Sequence, residues 1–127
     1  MKTFVSENYD DMCSLALTHI LQVLDPIKNP LISPASGDTP AGLYKKLVSH
    51  VAHKNIEINN WSFVGLDEWM GMNGNDQGSC RFHLNDQLFN PLKVKENQII
   101  FFDGRAADTN IECENIEKYI FKMQELM

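Results

Sequence analysis

Apolar runs are short throughout this chain. None approaches the ~18 residues that a membrane-spanning helix needs, so a helical membrane span is excluded. The opening stretch "MKTFVSENYDD" has one lysine and no apolar core ahead of its acidic residues, so it does not read as a signal peptide. Basic residues form no cluster or stripe, and the formal net charge is −6, which argues against a partner bound through its phosphate backbone, so no nucleic acid is expected. Cysteine is scarce: Cys13, Cys80 and Cys113 are odd in number, widely spaced and without a C-x-x-C pair. That excludes a disulfide framework and a zinc site, and places three free thiols in helical segments of a protein expected in the reducing cytoplasm. Internal repeats and low-complexity segments are also absent. His50 and His53 lack a third ligand nearby and sit where a helix ends, which favours histidine electrostatically, so no metal is expected. His19 and His83 suggest nothing specific, and Met70 and Met72 read as packing residues.

The 127 residues, with 43% hydrophobic and 22% charged, suffice for one globular core and are too few for two ordinary domains. Apolar positions recur at helical spacing over residues 9–27, from Tyr9 and Met12 to Val23 and Ile27, until Pro26 and Pro30 end the pattern. Further helices are predicted over Pro40–Val51, Ser79–Phe89 and Thr109–Met123, the last opening on a capping box between Thr109 and Glu112. Between them lie short strands at 31–34, 61–66 and 97–102. "WSFVGL" and "QIIFF" are continuously apolar, as strands covered on both faces are. Alternation of such strands with amphipathic helices predicts an α/β fold with a mainly parallel sheet and right-handed crossovers.

In a sheet of that kind, ligands bind beyond the C-terminal ends of the strands. Three loops fall there: Ser33–Thr39, Asp67–Gly78 and Asp103–Asp108. In the first, "SPASGDTP", Thr39 is placed to cap the following helix and Pro40 to occupy its first position. Ser36 and Gly37 can turn hydroxyl and amide groups toward the positive end of the helix dipole, where an anion such as phosphate is stabilised. The same residues also suit a tight turn with an ordinary cap. The second loop opens on adjacent carboxylates, Asp67 and Glu68, which leave a strand on opposite sides. One of them can therefore face the cleft as a general base, or Asp67 can cap the turn that follows.

Taken together, "PASGDTPAGLYKKL", "FVGLDEWMGM", "GSCRFHL" and "FFDGRAADTNIECENIEKYI" resemble the N-terminal half of the glucosamine-6-phosphate deaminase/isomerase family. "LDEW" and "GSC" look closest to its galactosamine-6-phosphate isomerase branch. The resemblance runs from about Leu31 to Tyr119 and implies a three-layer, Rossmann-like fold, incomplete in this chain, with residues 1–127 forming the N-terminal half of a single isomerase/deaminase domain. It implies conversion of an aminohexose 6-phosphate, galactosamine or glucosamine, to a ketohexose 6-phosphate with release of ammonia and no cofactor. It places the substrate phosphate on Ser36, Gly37, Asp38 and Thr39, and the proton shuttle between C2 and C1 on Asp67, with Glu68 as a possible substrate-side residue. Asp38 stands where many relatives carry a small neutral residue, and its carboxylate must point away from a bound dianion.

The resemblance also implies a partner. The family's ring-opening histidine and remaining phosphate-binding residues follow in a second half, so a stable, active form is expected to need that half; a homo-oligomer is compatible with this but not required. Two alternatives share the fold. A 6-phosphogluconolactonase is disfavoured by Trp69, where those enzymes usually carry arginine. A non-catalytic sugar-phosphate sensor is disfavoured by Asp67.

Overall fold

The computed structural model describes all 127 residues, Met1–Met127. Asn8 starts the first helix, its side-chain oxygen accepting the Asp11 amide N–H at 2.9 Å. This helix, α1, spans Tyr9–Leu24 and so stops one residue before the Asp25–Pro26 pair rather than running on to Ile27. The remaining elements follow in the expected alternation. They are β1 (Leu31–Ile32), α2 (Ala41–His53), β2 (Ser62–Val64), α3 (Cys80–Leu84, continued as a π-helical turn through Phe89), β3 (Ile99–Ile100) and α4 (Thr109–Gln124). No helix is long and apolar enough to cross a membrane.

The sheet is parallel throughout, in the order β1-β2-β3. Leu31 is in register with Ser62 and Ile32 with Phe63, while Phe63 and Val64 pair onward with Ile99 and Ile100. The predicted α/β class and its parallel pairing thus hold, although each strand is shorter than the apolar run that signals it.

β2 occupies the centre. Phe63 is fully buried and meets Phe89 edge-to-face at 5.4 Å, within a cluster that joins Tyr44, Leu47 and Val51 of α2 to Leu84 and Leu88 of the α3 segment. Val64, on the opposite face by strand alternation, is also buried. Both faces of β2 are covered, as its unbroken apolar sequence requires. The β3 segment differs from expectation: Ile99 through Phe102 are only half-buried, since β3 has a strand neighbour on one side alone. Burial in this segment falls instead on Gln98. Its amide donates to the Ile58 and Trp61 carbonyls at 2.7 and 2.9 Å, and its carbonyl oxygen accepts the Lys95 amide N–H at 2.9 Å. A buried polar side chain with all these partners fastens the start of β3 to the start of β2.

Two helix starts also differ. α2 begins at Ala41, and Pro40 sits before it as the cap, while Thr39 makes no capping hydrogen bond. α4 is capped by Asp108, whose carboxylate accepts the Asn110 and Ile111 amides at 3.0 and 3.1 Å. Glu112 reaches back to the Asp103 amide at 2.8 Å, so Thr109 and Glu112 form no reciprocal box.

Candidate active site

Beyond Ile32 the chain leaves the sheet and turns through Ser36–Thr39 before α2. Gly37 adopts φ +111°, a backbone geometry that side-chain-bearing residues rarely take. Two tyrosines hold this turn. The buried Tyr44 hydroxyl donates to the Ala35 carbonyl, and burial pushes its pKa up to about 12, so it remains a neutral donor. From α1, the Tyr9 hydroxyl donates to the Thr39 carbonyl at 2.8 Å and accepts the Gly42 amide N–H at 2.9 Å. The Ala41 amide is taken by the Asp38 carbonyl at 3.2 Å. Thus the first α2 amides, which a Thr39 side chain was expected to serve, are capped by Tyr9 and by the loop backbone. By contrast, the amide N–H groups of Ser36, Gly37, Asp38 and Thr39 donate to no acceptor within the chain. Four free donors in succession just before a 13-residue helix make a positively polarised stretch of backbone.

Beyond Val64 the second loop begins, and its two carboxylates part company. Asp67 is exposed and Glu68 half-buried. Glu68 Oε1 accepts the amide N–H groups of Trp69 and Cys80, each at 2.9 Å, and Oε2 accepts that of Arg81 at 3.0 Å. An α-helix leaves its first amides without intrahelical partners, and here the Glu68 carboxylate satisfies two of them, while the Ser79 hydroxyl takes the Phe82 amide at 3.0 Å. Cys80, at 6% exposure, is thereby fixed by its backbone at the start of α3, and its thiol feels Ser36, Asp67 and Glu68. Burial pushes this thiol's pKa up. Donation from Ser36 works against that rise, and the Asp67 and Glu68 charges add to it.

The third loop joins the second through Asn73, whose amide donates to Asp103 at 3.2 Å and whose oxygen accepts the Gly104 amide at 3.0 Å. Gly104 in turn accepts the Gly71 amide at 2.6 Å. Between these loops lies a cavity of about 280 Å³. Asp67, Glu68, Leu66 and Met70 line one side, and Phe102, Asp103, Gly104, Thr109, Glu112 and Cys113 the other. Leu66, Trp69 and Met70 are exposed at its margin, Met70 at 80%, so Met70 is not the packing residue its type suggested. Arg81 faces elsewhere, pinned over the rings of Phe89 and Phe101 and paired with Glu96 at 2.7 Å.

The structure places the Ser36–Thr39 amides at the end of β1 and the exposed Asp67 carboxylate in the cavity beyond β2, on neighbouring parallel strands. It turns Glu68 toward the protein. No group of three or more His, Cys, Asp or Glu side chains is arranged to hold a metal ion. Tyr9, Tyr44 and Cys80 carry no signal of this role in the sequence. The nearest hint for Cys80 is its position directly after Ser79, which reads as a helix start.

No family model matches the chain. It is 32% identical over 120 residues, 94% of its length, to a glucosamine-6-phosphate deaminase of Clostridium beijerinckii, of which it covers 50%. Among solved structures, a monomeric glucosamine-6-phosphate deaminase of the NagB superfamily superposes with a TM-score of 0.90 at 25% identity, over 98% of this chain and 52% of that one. A 6-phosphogluconolactonase of Thermotoga maritima superposes at 0.73 and 22% identity, over 94% of this chain and 52% of that one, a likeness of fold alone. The chain spans about half the length of the curated relatives it matches. The resemblance carried by the four motifs thus extends along nearly the whole chain, and the fold is that of the glucosamine-6-phosphate deaminases and 6-phosphogluconolactonases.

Proposed function

We propose, from the premise that this chain matches one half of glucosamine-6-phosphate deaminases, that it supplies the phosphate cradle and the proton-transfer base of an aminohexose-6-phosphate isomerase/deaminase. The observation that carries this reading is the row of uncommitted amides at Ser36–Thr39, after β1, together with an exposed carboxylate, Asp67, after the adjacent β2. A phosphate dianion at the start of α2 accepts those N–H groups, with Ser36 and Thr39 hydroxyls at hand. The Asp38 carbonyl is already used by Ala41, so Asp38 contributes its amide, and its exposed carboxylate is left in solvent.

With the sugar open, the C1 aldehyde acidifies the proton on C2. Asp67 removes that proton while O1 takes up one proton from the C2 ammonium, giving an enolamine, and Asp67 then delivers its proton to C1. The product carries an iminium at C2, and water adds there and expels ammonia. One water is consumed and one ammonia released, with Asp67 regenerated. Ring opening needs an acid/base group on the ring oxygen. We assign that group to the second half that the relatives carry, and residues 1–127 to the first half of one domain. Glu68, with three amides on its carboxylate, is left no free role toward substrate.

The test is ammonia release from glucosamine and galactosamine 6-phosphate by the complete enzyme and by its Asp67→Asn variant. The variant is expected to lose about 10²-fold or more in kcat with little change in phosphate affinity. Near-normal turnover removes Asp67 from the mechanism. A protein that hydrolyses 6-phosphogluconolactone and releases no ammonia is a lactonase, and one that binds sugar phosphate without turnover is a sensor.

A further inference from the structure

We infer that Tyr44 and Tyr9 are positioning residues for the phosphate loop: by holding the Ala35 and Asp38 carbonyls they aim the Ser36 and Thr39 amides, the first and last of its four free donors. This rests on the reading of Ser36–Thr39 as the phosphate cradle. A trans peptide is planar and its N–H points opposite its C=O. Whatever anchors the carbonyl of one residue therefore sets the direction of the next residue's N–H. The Ala35 carbonyl accepts the hydroxyl of Tyr44, a buried residue of α2, and the N–H of that peptide belongs to Ser36. The Asp38 carbonyl accepts the Ala41 amide at 3.2 Å and lies 3.3 Å from the Tyr9 hydroxyl, and the N–H of its peptide belongs to Thr39. Tyr9 also donates to the Thr39 carbonyl at 2.8 Å, which fixes the following peptide, the one that Pro40 leaves without an N–H.

The two peptides between these anchors are held by nothing in the chain. The Ser36 and Gly37 carbonyls accept no hydrogen bond, so the Gly37 and Asp38 amides are free to turn. Gly37, at φ +111°, is the pivot between them, and a Cβ built on it would meet nothing within 4 Å, so that side of the turn is open. The loop is thus fixed at both ends and adjustable at its centre. A phosphate can engage the two fixed N–H groups first and draw the central pair onto its remaining oxygens. Ordering the outer donors before the anion arrives lowers the cost of binding it. The helix α1, which carries no motif of its own, thereby takes part in the site through Tyr9.

The experiment titrates inorganic phosphate into the complete enzyme and into its Tyr44→Phe and Tyr9→Phe variants, following the amide proton signals of Ser36–Thr39 by NMR. Each variant removes one hydroxyl and keeps the ring. In the wild type, phosphate is expected to move all four signals downfield. Tyr44→Phe should reduce the movement at Ser36 and leave that at Thr39, and Tyr9→Phe should do the reverse. Each should weaken phosphate binding roughly 10-fold. With glucosamine 6-phosphate, KM should rise by a similar factor while kcat stays within about twofold, because ground and transition states share the phosphate contact.

Equal movements and equal affinity in wild type and variants overturn the positioning role and leave the cradle standing. A loss spread evenly over the four amides marks general loosening of the loop and overturns it as well, as does a fall in kcat with KM unchanged. Phosphate that binds the wild type without moving the Ser36–Thr39 signals overturns the cradle itself, and the positioning role with it.

Discussion

The Tyr9 hydroxyl accepts the Gly42 amide N–H at 2.9 Å, joining the first residue of α1 to the first turn of α2 across 33 positions of sequence. The same hydroxyl donates to the Thr39 carbonyl, so a single phenol fixes the junction between α2 and the turn that carries the four uncommitted amides. Gly42 allows this approach: a Cβ there would stand 2.7 Å from the Tyr9 ring and 2.9 Å from Cys13 Sγ. Tyr9→Phe is expected to cost about 0.5–1.5 kcal/mol of stability. It should also weaken inorganic phosphate binding, by isothermal titration, whereas Tyr119→Phe in α4 should leave that binding unchanged. Unaltered phosphate affinity in Tyr9→Phe separates the phenol from the anion site.

Gly104 is the tightest point in the loop cluster. A Cβ added to it would run into the backbone carbonyl oxygens of Met72 and Trp69, which are not flexible side-chain ends. Gly104→Ala must therefore force the second and third loops apart and break the Asn73 and Gly71 hydrogen bonds to residue 104. We expect a loss of about 1–3 kcal/mol or more in urea unfolding, and faster hydrogen exchange at Gly71. Retention of wild-type stability contradicts the close approach.

Tyr44 makes stability sensitive to alkali. Its pKa is about 12 in the folded chain because burial disfavours the phenolate, against 10.0 for an unburied tyrosine. Below pH 10 the phenol is protonated in both states, and its contribution is fully present. As the pH rises from 10 towards 12, the unfolded chain releases this proton and the folded chain keeps it, so unfolding is progressively favoured. Tyr44→Phe, which loses the hydrogen bond to Ala35 throughout, is expected to flatten this part of the stability–pH curve. Parallel curves for the two proteins above pH 10 refute the assignment.

Asp76 acts at the other end of the pH scale. The Asn73 amide N–H, donating to its carboxylate at 2.7 Å, holds its pKa below the ordinary 3.8, with burial acting against this and Arg105 adding to the lowering. The stabilisation is present above about pH 4 and disappears as the pH falls through the lowered folded value. Asp76→Asn should therefore cost stability at neutral pH and narrow its gap to wild type as acid protonates the aspartate. A gap that widens in acid excludes this role.

Much of the architecture is legible in the sequence, because it depends on patterns that burial enforces locally. "WSFVGL" is apolar on both faces, and its centre, Phe63–Val64, is buried on both. Alternation of short apolar runs with helical periodicity is enough to predict the parallel pairing of β1, β2 and β3. Asp67 and Glu68 lie beyond the end of β2 at Val64, and it is the amides of Trp69, Cys80 and Arg81 that set Glu68 apart from Asp67. The small residues before α2 mark where backbone amides gather, because glycine permits the +111° φ at residue 37. "QIIFF" is the exception among the strands: its apolar sequence suits a covered strand, yet Ile99–Phe102 are only half-buried and Gln98 is the buried residue, because neighbours and not composition decide burial.

What the sequence alone determined about this protein is therefore its class, its strand and helix order and the loops that carry the candidate site. Only the tertiary structure decided which groups complete that site. Thr39 is a suitable cap by residue type, but Tyr9 from another helix captures the amide first. Thr109 and Glu112 have capping-box spacing, but Asp108 caps α4 and Glu112 binds the Asp103 amide. Glu68 and Cys80 are twelve residues apart with no pattern between them, and they meet because β2 and α3 converge on one core. The physical reason is common to all three. Periodicity and turn chemistry report a residue's own backbone, whereas a side chain's hydrogen-bond partner is set by which distant donor the packed core delivers to it.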